Sequence, residues 1–193
     1  EAPGYAYGIA QTTDGTVWVG GSGLLSYDGK TWTKLGEPFG ITSWIHGLVG
    51  TKDGGLWAGT RSYGLFHFDG RNWTQHSVQE GLANNRVRAI HLAIDGSLWA
   101  VTDKGISRFD GQSWITQALP LDLQDQPRSL RQARDGALWI NGFSVQSSGS
   151  ANWTLRYFPE VDPPQTEILP GIAQLVGVVS QPGNTTLEWR GTD

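Results

Sequence analysis

VRAIHLAIDGSLWAVTDKGISRFDGQSWITQAL, residues Val87–Leu119, reads as one complete four-stranded unit. VRAIHLAI is an apolar, strand-like run. Asp95-Gly96 ends it with a turn, because Asp-Gly accepts the positive φ angles of a two-residue hairpin. SLWAVT alternates and reads as the second strand. Asp103-Lys104-Gly105 turns the chain again, GISRFDG forms a third strand closed by Asp110-Gly111, and QSWITQAL forms the fourth. Four short antiparallel strands make one sheet, which is marginal alone and needs neighbours on both faces.

The unit recurs along the chain. Asp-Gly-x-x-Trp stands at Asp14–Trp18, Asp53–Trp57, Asp95–Trp99 and Asp135–Trp139, in steps of 39, 42 and 40 residues. A second tryptophan follows each: Trp32, Trp73, Trp114 and Trp153. A period of about 41 residues with short strands and Gly-rich turns predicts β-propeller blades. The columns agree beyond the tryptophans. Five residues before each Asp stands Ile9, Leu48, Ile90 or Leu130, and six before it the residue is small: Gly8, Gly47, Ala89 or Ser129. Small residues on the innermost strand let blades converge, and aromatics fill the wider outer space. The fourth unit departs from the pattern. It has Ser148-Gly149-Ser150 where Tyr-Asp-Gly is expected, and its third strand, FSVQSSGS, is weak.

The expected fold is therefore all-β: four propeller repeats over 1–158, then a linker and the first strands of a β-sandwich over 159–193. FPEVDPPQTEIL, with three prolines, reads as the linker, and LVGVVSQPGNTTLEWRGTD as two strands about Gln181-Pro182-Gly183-Asn184.

Bulk properties exclude several classes. The net charge is −4 with no basic stripe, which predicts no nucleic-acid partner. No run approaches the roughly 18 apolar residues of a membrane helix. Cysteine is absent, so there are no disulfides and no thiolate metal sites. Methionine is absent too, and Glu1 is no translational start, so a mature or excised piece is expected.

Two stretches, VRAIHLAIDGSLWAVTDKGISRFDGQSW with GLANNRV before it, and LVGTKDGGLWAGTRSYGLFHFDGRNW, resemble the propeller repeat of bacterial two-component regulators. The resemblance covers residues 1 to about 158. The tail resembles the triple-tyrosine β-sandwich that follows such propellers, through Pro163-Pro164 with Thr166, Gly183-Asn184 and Gly191-Thr192-Asp193. The resemblance implies an extracytoplasmic, periplasmic or extracellular sensor of an exported bacterial protein, joined to the rest of a parent receptor. Its signal would be a small molecule or oligosaccharide, and it would be non-catalytic, with no cofactor. Such propellers usually have more than four blades, and this chain departs in that number. Self-association through open blade edges is a further expectation.

The Asp-Gly turns lack the residue that sialidase Asp-boxes place between Asp and Gly. Propeller lyases need a histidine and acidic groups around a metal, and His46, His67, His76 and His91 lack metal-ligand spacing. A secreted sugar-binding propeller stays open as an alternative, a propeller lyase or glycosidase as a weaker one. Eight tryptophans occupy fixed columns beside apolar neighbours and read as core; Trp44 does not. It shares a variable column with Tyr5, Arg86 and Gln126, and two residues later come Tyr7, His46, Arg88 and Arg128. Variable positions on one face of a repeat array are where binding sites are built. The candidate ligand-binding residues are therefore Tyr5, Trp44, His46, Arg86, Arg88 and Arg128, ringing one mouth of a central channel. The competing reading is a solvated rim.

Overall fold

The computed structural model describes residues 5–35, 41, 43–118, 127–146, 149–158 and 165–168. They form four four-stranded antiparallel sheets. The first contains β1 (Ala6–Gln11), β2 (Val17–Gly21), β3 (Leu24–Tyr27) and β4 (Trp32–Leu35). The second contains β5 (Ile45–Gly50), β6 (Leu56–Thr60), β7 (Leu65–Phe68) and β8 (Trp73–His76). The third contains β9 (Val87–Leu92), β10 (Leu98–Thr102), β11 (Gly105–Phe109) and β12 (Trp114–Ala118). The fourth contains β13 (Pro127–Gln132), β14 (Leu138–Gln146), β15 (Gly149–Phe158) and β16 (Gln165–Ile168). Each is a meander in sequence order. The chain divides into two compact units, residues 1–119 with three sheets and 120–193 with the fourth.

The Asp-Gly-x-x-Trp hairpins are a residue longer than expected. In the first, Thr12 N–H donates to Thr16 O and Gly15 N–H to Thr12 O, so three residues form the loop. The hairpins at 51–55, 93–97 and 133–137 repeat both bonds. Asp14 caps its turn by accepting from Thr16 N–H at 3.0 Å, and Asp95 does the same for Ser97 N–H at 2.9 Å. The glycine then takes φ near +88° in both hairpins, a left-handed value that closes the loop and that a Cβ would oppose.

Within the first unit the sheets pack face on face, through the columns read from the sequence. A Cβ on Gly8 would lie 3.2 Å from the Leu48 nitrogen, and one on Gly47 would lie 3.0 Å from Ile90 Cγ1. The small column is therefore the place of closest approach between inner strands. One core joins Trp18, Leu24, Ile45, Leu56, Ala58 and Phe66, and a second joins Trp57, Leu65, Val87, Ile90, Leu98 and Ala100. The tryptophans of the first two Asp-Gly-x-x-Trp motifs reach across to the next sheet. Trp18 meets Phe68 and Trp73, and Trp57, 4% exposed, meets Phe109 and Trp114.

The fourth sheet corrects three readings. FSVQ belongs to the end of the nine-residue β14, not to a third strand. Trp153 lies on the third strand, β15, opposite Gly142. It is therefore not equivalent to Trp32, Trp73 and Trp114, which lie on the outermost strands. Tyr157, opposite Leu138, takes the aromatic column of Tyr27, Phe68 and Phe109, and Thr166 opposite it takes the tryptophan column. The outer strand Gln165–Ile168 comes from the stretch assigned above to the linker. The remaining β-sandwich residues, 169–193, lie outside the described residues.

Candidate functional site

One irregularity recurs at the same point in all four sheets. The pairing of innermost and second strands slips between Ala6 and Gly8, between Ile45 and Gly47, and between Pro127 and Ser129. In the third sheet Val87 pairs with Thr102 and Ala89 with Val101, so the slip passes over Arg88. The residues skipped are Tyr7, His46, Arg88 and Arg128. A bulge gives one strand an extra residue and re-aims its side chain away from the ladder. The variable column of the sequence is thus a column of bulged residues. Conserved ladder pairing does not constrain them, which explains why their identities wander while their neighbours repeat.

In the first unit these positions and those two residues earlier converge. Tyr5 and Trp44 rings lie 6.4 Å apart, Tyr7 meets Trp44 edge-on at 5.6 Å, and Tyr7 meets His46 edge-on at 5.9 Å. Tyr5 and Tyr7 are 70% and 58% exposed, so their faces are offered to solvent. His46 Nδ1 lies 3.0 Å from Val87 O in the next sheet. Burial, and then the positive charges of Arg88, Arg61 and Arg86, push the His46 pKa down, so the ring stays neutral near pH 7.

Arg86 and Arg88 share one carboxylate. Arg88 Nε donates to Asp103 Oδ1 at 2.5 Å and its Nη2 donates to Oδ2 at 3.3 Å, a bidentate fork. Arg86 Nε lies 3.4 Å from Asp103 Oδ2 but makes no hydrogen bond, although it is closed off from solvent. Two guanidiniums against one carboxylate leave a positive surplus on a protein of net charge −4. Asp103 was missed by sequence reasoning; it sits in a turn whose composition is ordinary, and only the fold brings it beneath the bulge. Arg61, whose N–H donates to Trp44 O at 2.8 Å, was missed for the same reason.

Arg128 belongs to the second unit, on β13, where its guanidinium lies 5.3 Å over the Phe143 ring. It occupies the equivalent bulge of its own sheet. Five of the six candidate residues thus lie in one unit and Arg128 in the other. Among the described residues no group of three His, Asp or Glu is arranged to hold a metal ion. No described helix is long and apolar enough to cross a membrane.

Neither a family model nor a curated protein matches this chain. Solved structures do. The extracellular domain of a protein assigned as a hybrid two-component system of B. thetaiotaomicron is similar at 25% identity over 76% of this chain, with TM-score 0.62. This chain spans only 21% of that one. PorZ, a surface component of the type-IX secretion system of Porphyromonas gingivalis, is similar at 17% identity over 93% of this chain and 32% of its own, with TM-score 0.69. Virginiamycin B lyase from Staphylococcus aureus is similar at 15% identity over 95% of this chain and 69% of its own, with TM-score 0.58. The last two likenesses, at these identities, concern the fold alone. Together the neighbours agree with the blade architecture of the four sheets.

Proposed function

We propose that this chain is a ligand-sensing, non-catalytic part of a two-component-type receptor, acting in the periplasm or outside the cell. The ligand is an anionic small molecule or oligosaccharide held at the rim of the first unit. The observation that carries this reading is the convergence of bulged Tyr7, His46 and Arg88 with Tyr5, Trp44 and Arg86. Aromatic faces stack on sugar rings and guanidinium forks recognise carboxylate or sulfate. Similarity to the extracellular domain of the B. thetaiotaomicron protein supports the receptor context. The lyase reading has only a shared fold behind it, and fold does not carry function.

Titration calorimetry with a uronate-containing oligosaccharide and its neutral counterpart tests the proposal. The charged sugar should bind at least tenfold more tightly, and Trp44→Ala and Arg86→Ala should each weaken it at least tenfold. Equal affinity for both sugars, or binding untouched by either substitution, would place the site elsewhere.

A further inference from the structure

The residue bulged out of each innermost strand meets the same position on the second strand of its own sheet. Ile45, Val87 and Pro127 pair with Thr60, Thr102 and Gly142. The bulges at His46, Arg88 and Arg128 therefore lie beside the residues that follow: Arg61, Asp103 and Phe143. In the third sheet that neighbour is a carboxylate, and Arg88 forks onto it. In the fourth it is a ring, and Arg128 lies over it at 5.3 Å. Each of these cations is answered from within its own sheet. The second sheet breaks the rule. Its bulged residue is a histidine and the neighbour is itself the cation, so a neutral imidazole stands where a counter-charge is due. Arg61 is exposed, and among the described residues no carboxylate pairs with it.

His46 marks where this cation meets those of the third sheet. Its Nδ1–H donates to Val87 O at 3.0 Å, because a carbonyl can only accept. Val87 stands between Arg86 and Arg88 in the chain, and the charges of Arg61, Arg86 and Arg88 all act on the ring. Among the described residues, the carboxylate paired with these guanidiniums is Asp103 alone, and Arg88 takes both of its oxygens. Arg86 Nε, 3.4 Å from Asp103 Oδ2 and shut off from solvent, has no hydrogen-bond acceptor. A buried donor left unpaired is costly, and an acceptor that reaches it recovers the cost.

We propose that Arg61 and Arg86 grip one anionic group of the ligand, a carboxylate or sulfate, across the seam between the second and third sheets. The inference rests on the reading of this rim as the ligand site, and it names the two side chains that give the site its charge selectivity. Asp103 shows the arrangement within the chain: one oxyanion between two guanidiniums. The ligand's anion takes the corresponding place beside Arg61, where the second sheet has no carboxylate of its own. Arg88 stays on Asp103 and does not touch the ligand; that pair steadies Arg86. Arg61 N–H donates to Trp44 O at 2.8 Å, so the clamp is tied to the residue on whose ring the ligand stacks.

Titration of the full chain with sodium sulfate, against sodium chloride at equal ionic strength, tests this by calorimetry and by the arginine Nε–H resonances in NMR. Sulfate should shift the Arg61 and Arg86 signals along one saturating curve and leave that of Arg88 in place. Arg61→Ala and Arg86→Ala should each weaken sulfate about tenfold, the loss of a charged hydrogen bond. Arg61→Asp, which gives the second sheet its own carboxylate, should abolish binding. Arg61→Lys should fall between wild type and Arg61→Ala, since the charge stays and the fork goes. Arg71→Ala, in the turn at the opposite end of the second sheet, should change affinity by less than about twofold. Arg61 and Arg71 are exposed, so these variants should keep the wild-type melting curve. No saturable sulfate binding, equal losses in Arg61→Ala and Arg71→Ala, or a shift at Arg88 alone would overturn the clamp. The sugar reading fails separately. Sulfate held by Arg61 and Arg86 with no uronate-containing oligosaccharide bound keeps the clamp and overturns the sugar. Oligosaccharide binding weakened by Trp44→Ala but untouched by Arg61→Ala does the reverse.

Discussion

His76 shows how a single residue can tie two sheets together and make the tie pH-dependent. Trp114 Nε1–H donates to His76 Nδ1 at 3.2 Å, so that nitrogen must be unprotonated. The ring also packs against Trp57 at 5.0 Å and Phe109 at 5.1 Å. Burial pushes its pKa down, the charge of His67 adds to that, and Glu80 opposes it. The sign follows. In the unfolded chain the ring gains its proton near pH 6.5, while the folded protein resists until a lower pH. The stabilising contribution is complete above about pH 6.5 and is lost as pH falls below it towards the folded pKa. His46 and His67, also lowered chiefly by burial, act in the same direction. The turn carboxylates, held low by hydrogen bonds, lose their contribution only below about pH 4. Melting temperature should therefore fall between pH 7.5 and 5.5. His76→Gln, which offers a non-titrating acceptor to Trp114, should shrink that fall. An equal fall in wild type and variant would show that this contact does not titrate. Nothing in the text around His76 announces this role. Its partner lies 38 residues away, one repeat on, and a histidine in a fourth strand is as often a surface residue.

At the level of the strand, legibility depended on whether the local spacing was regular. The Asp-Gly-x-x-Trp hairpins could be read because turn and tryptophan lie within five residues of one another. The bulges could not, since an extra residue in one strand is visible only against its partner. Their trace in the sequence was indirect: identities that vary at Tyr7, His46 and Arg88 beside a column that stays small at Gly8, Gly47 and Ala89. The fourth sheet failed for a different reason. The second and third strands run on as far as a Gln146–Gly149 pair, so Trp153 falls where a fourth-strand tryptophan was due by count and yet lies on the third strand. Counting along the chain cannot detect strands that lengthen. The small-residue positions are testable at this scale. A Cβ on Gly59 would lie 2.8 Å from Val87 Cγ1, where β6 meets β9. Gly59→Ala should cost about 1–3 kcal/mol by overpacking. Val87→Ala removes the atom that collides, so the double variant should lose at least ~1 kcal/mol less than the two single losses added together. Strictly additive losses in denaturant midpoints would mean that the two strands do not meet at this point.

Across the first unit, protection should follow how many faces of a sheet are covered. The second sheet has a neighbour on each face, and all five residues of β6 are buried. Within the described residues of this unit the first sheet meets a neighbouring sheet on one face, and its β1 alternates between exposed and half-buried residues. In a stack of repeats, stability is the sum of what each sheet holds internally and what each junction adds. A sheet with one junction should open more often than a sheet with two, and amide exchange reads the difference directly. In dilute solution the amides of β6 should exchange slowest and those of β1 and β4 markedly faster. Uniform exchange across the three sheets in dilute solution would mean that junctions contribute little here, and that each sheet's stability comes from its own turns and pairings.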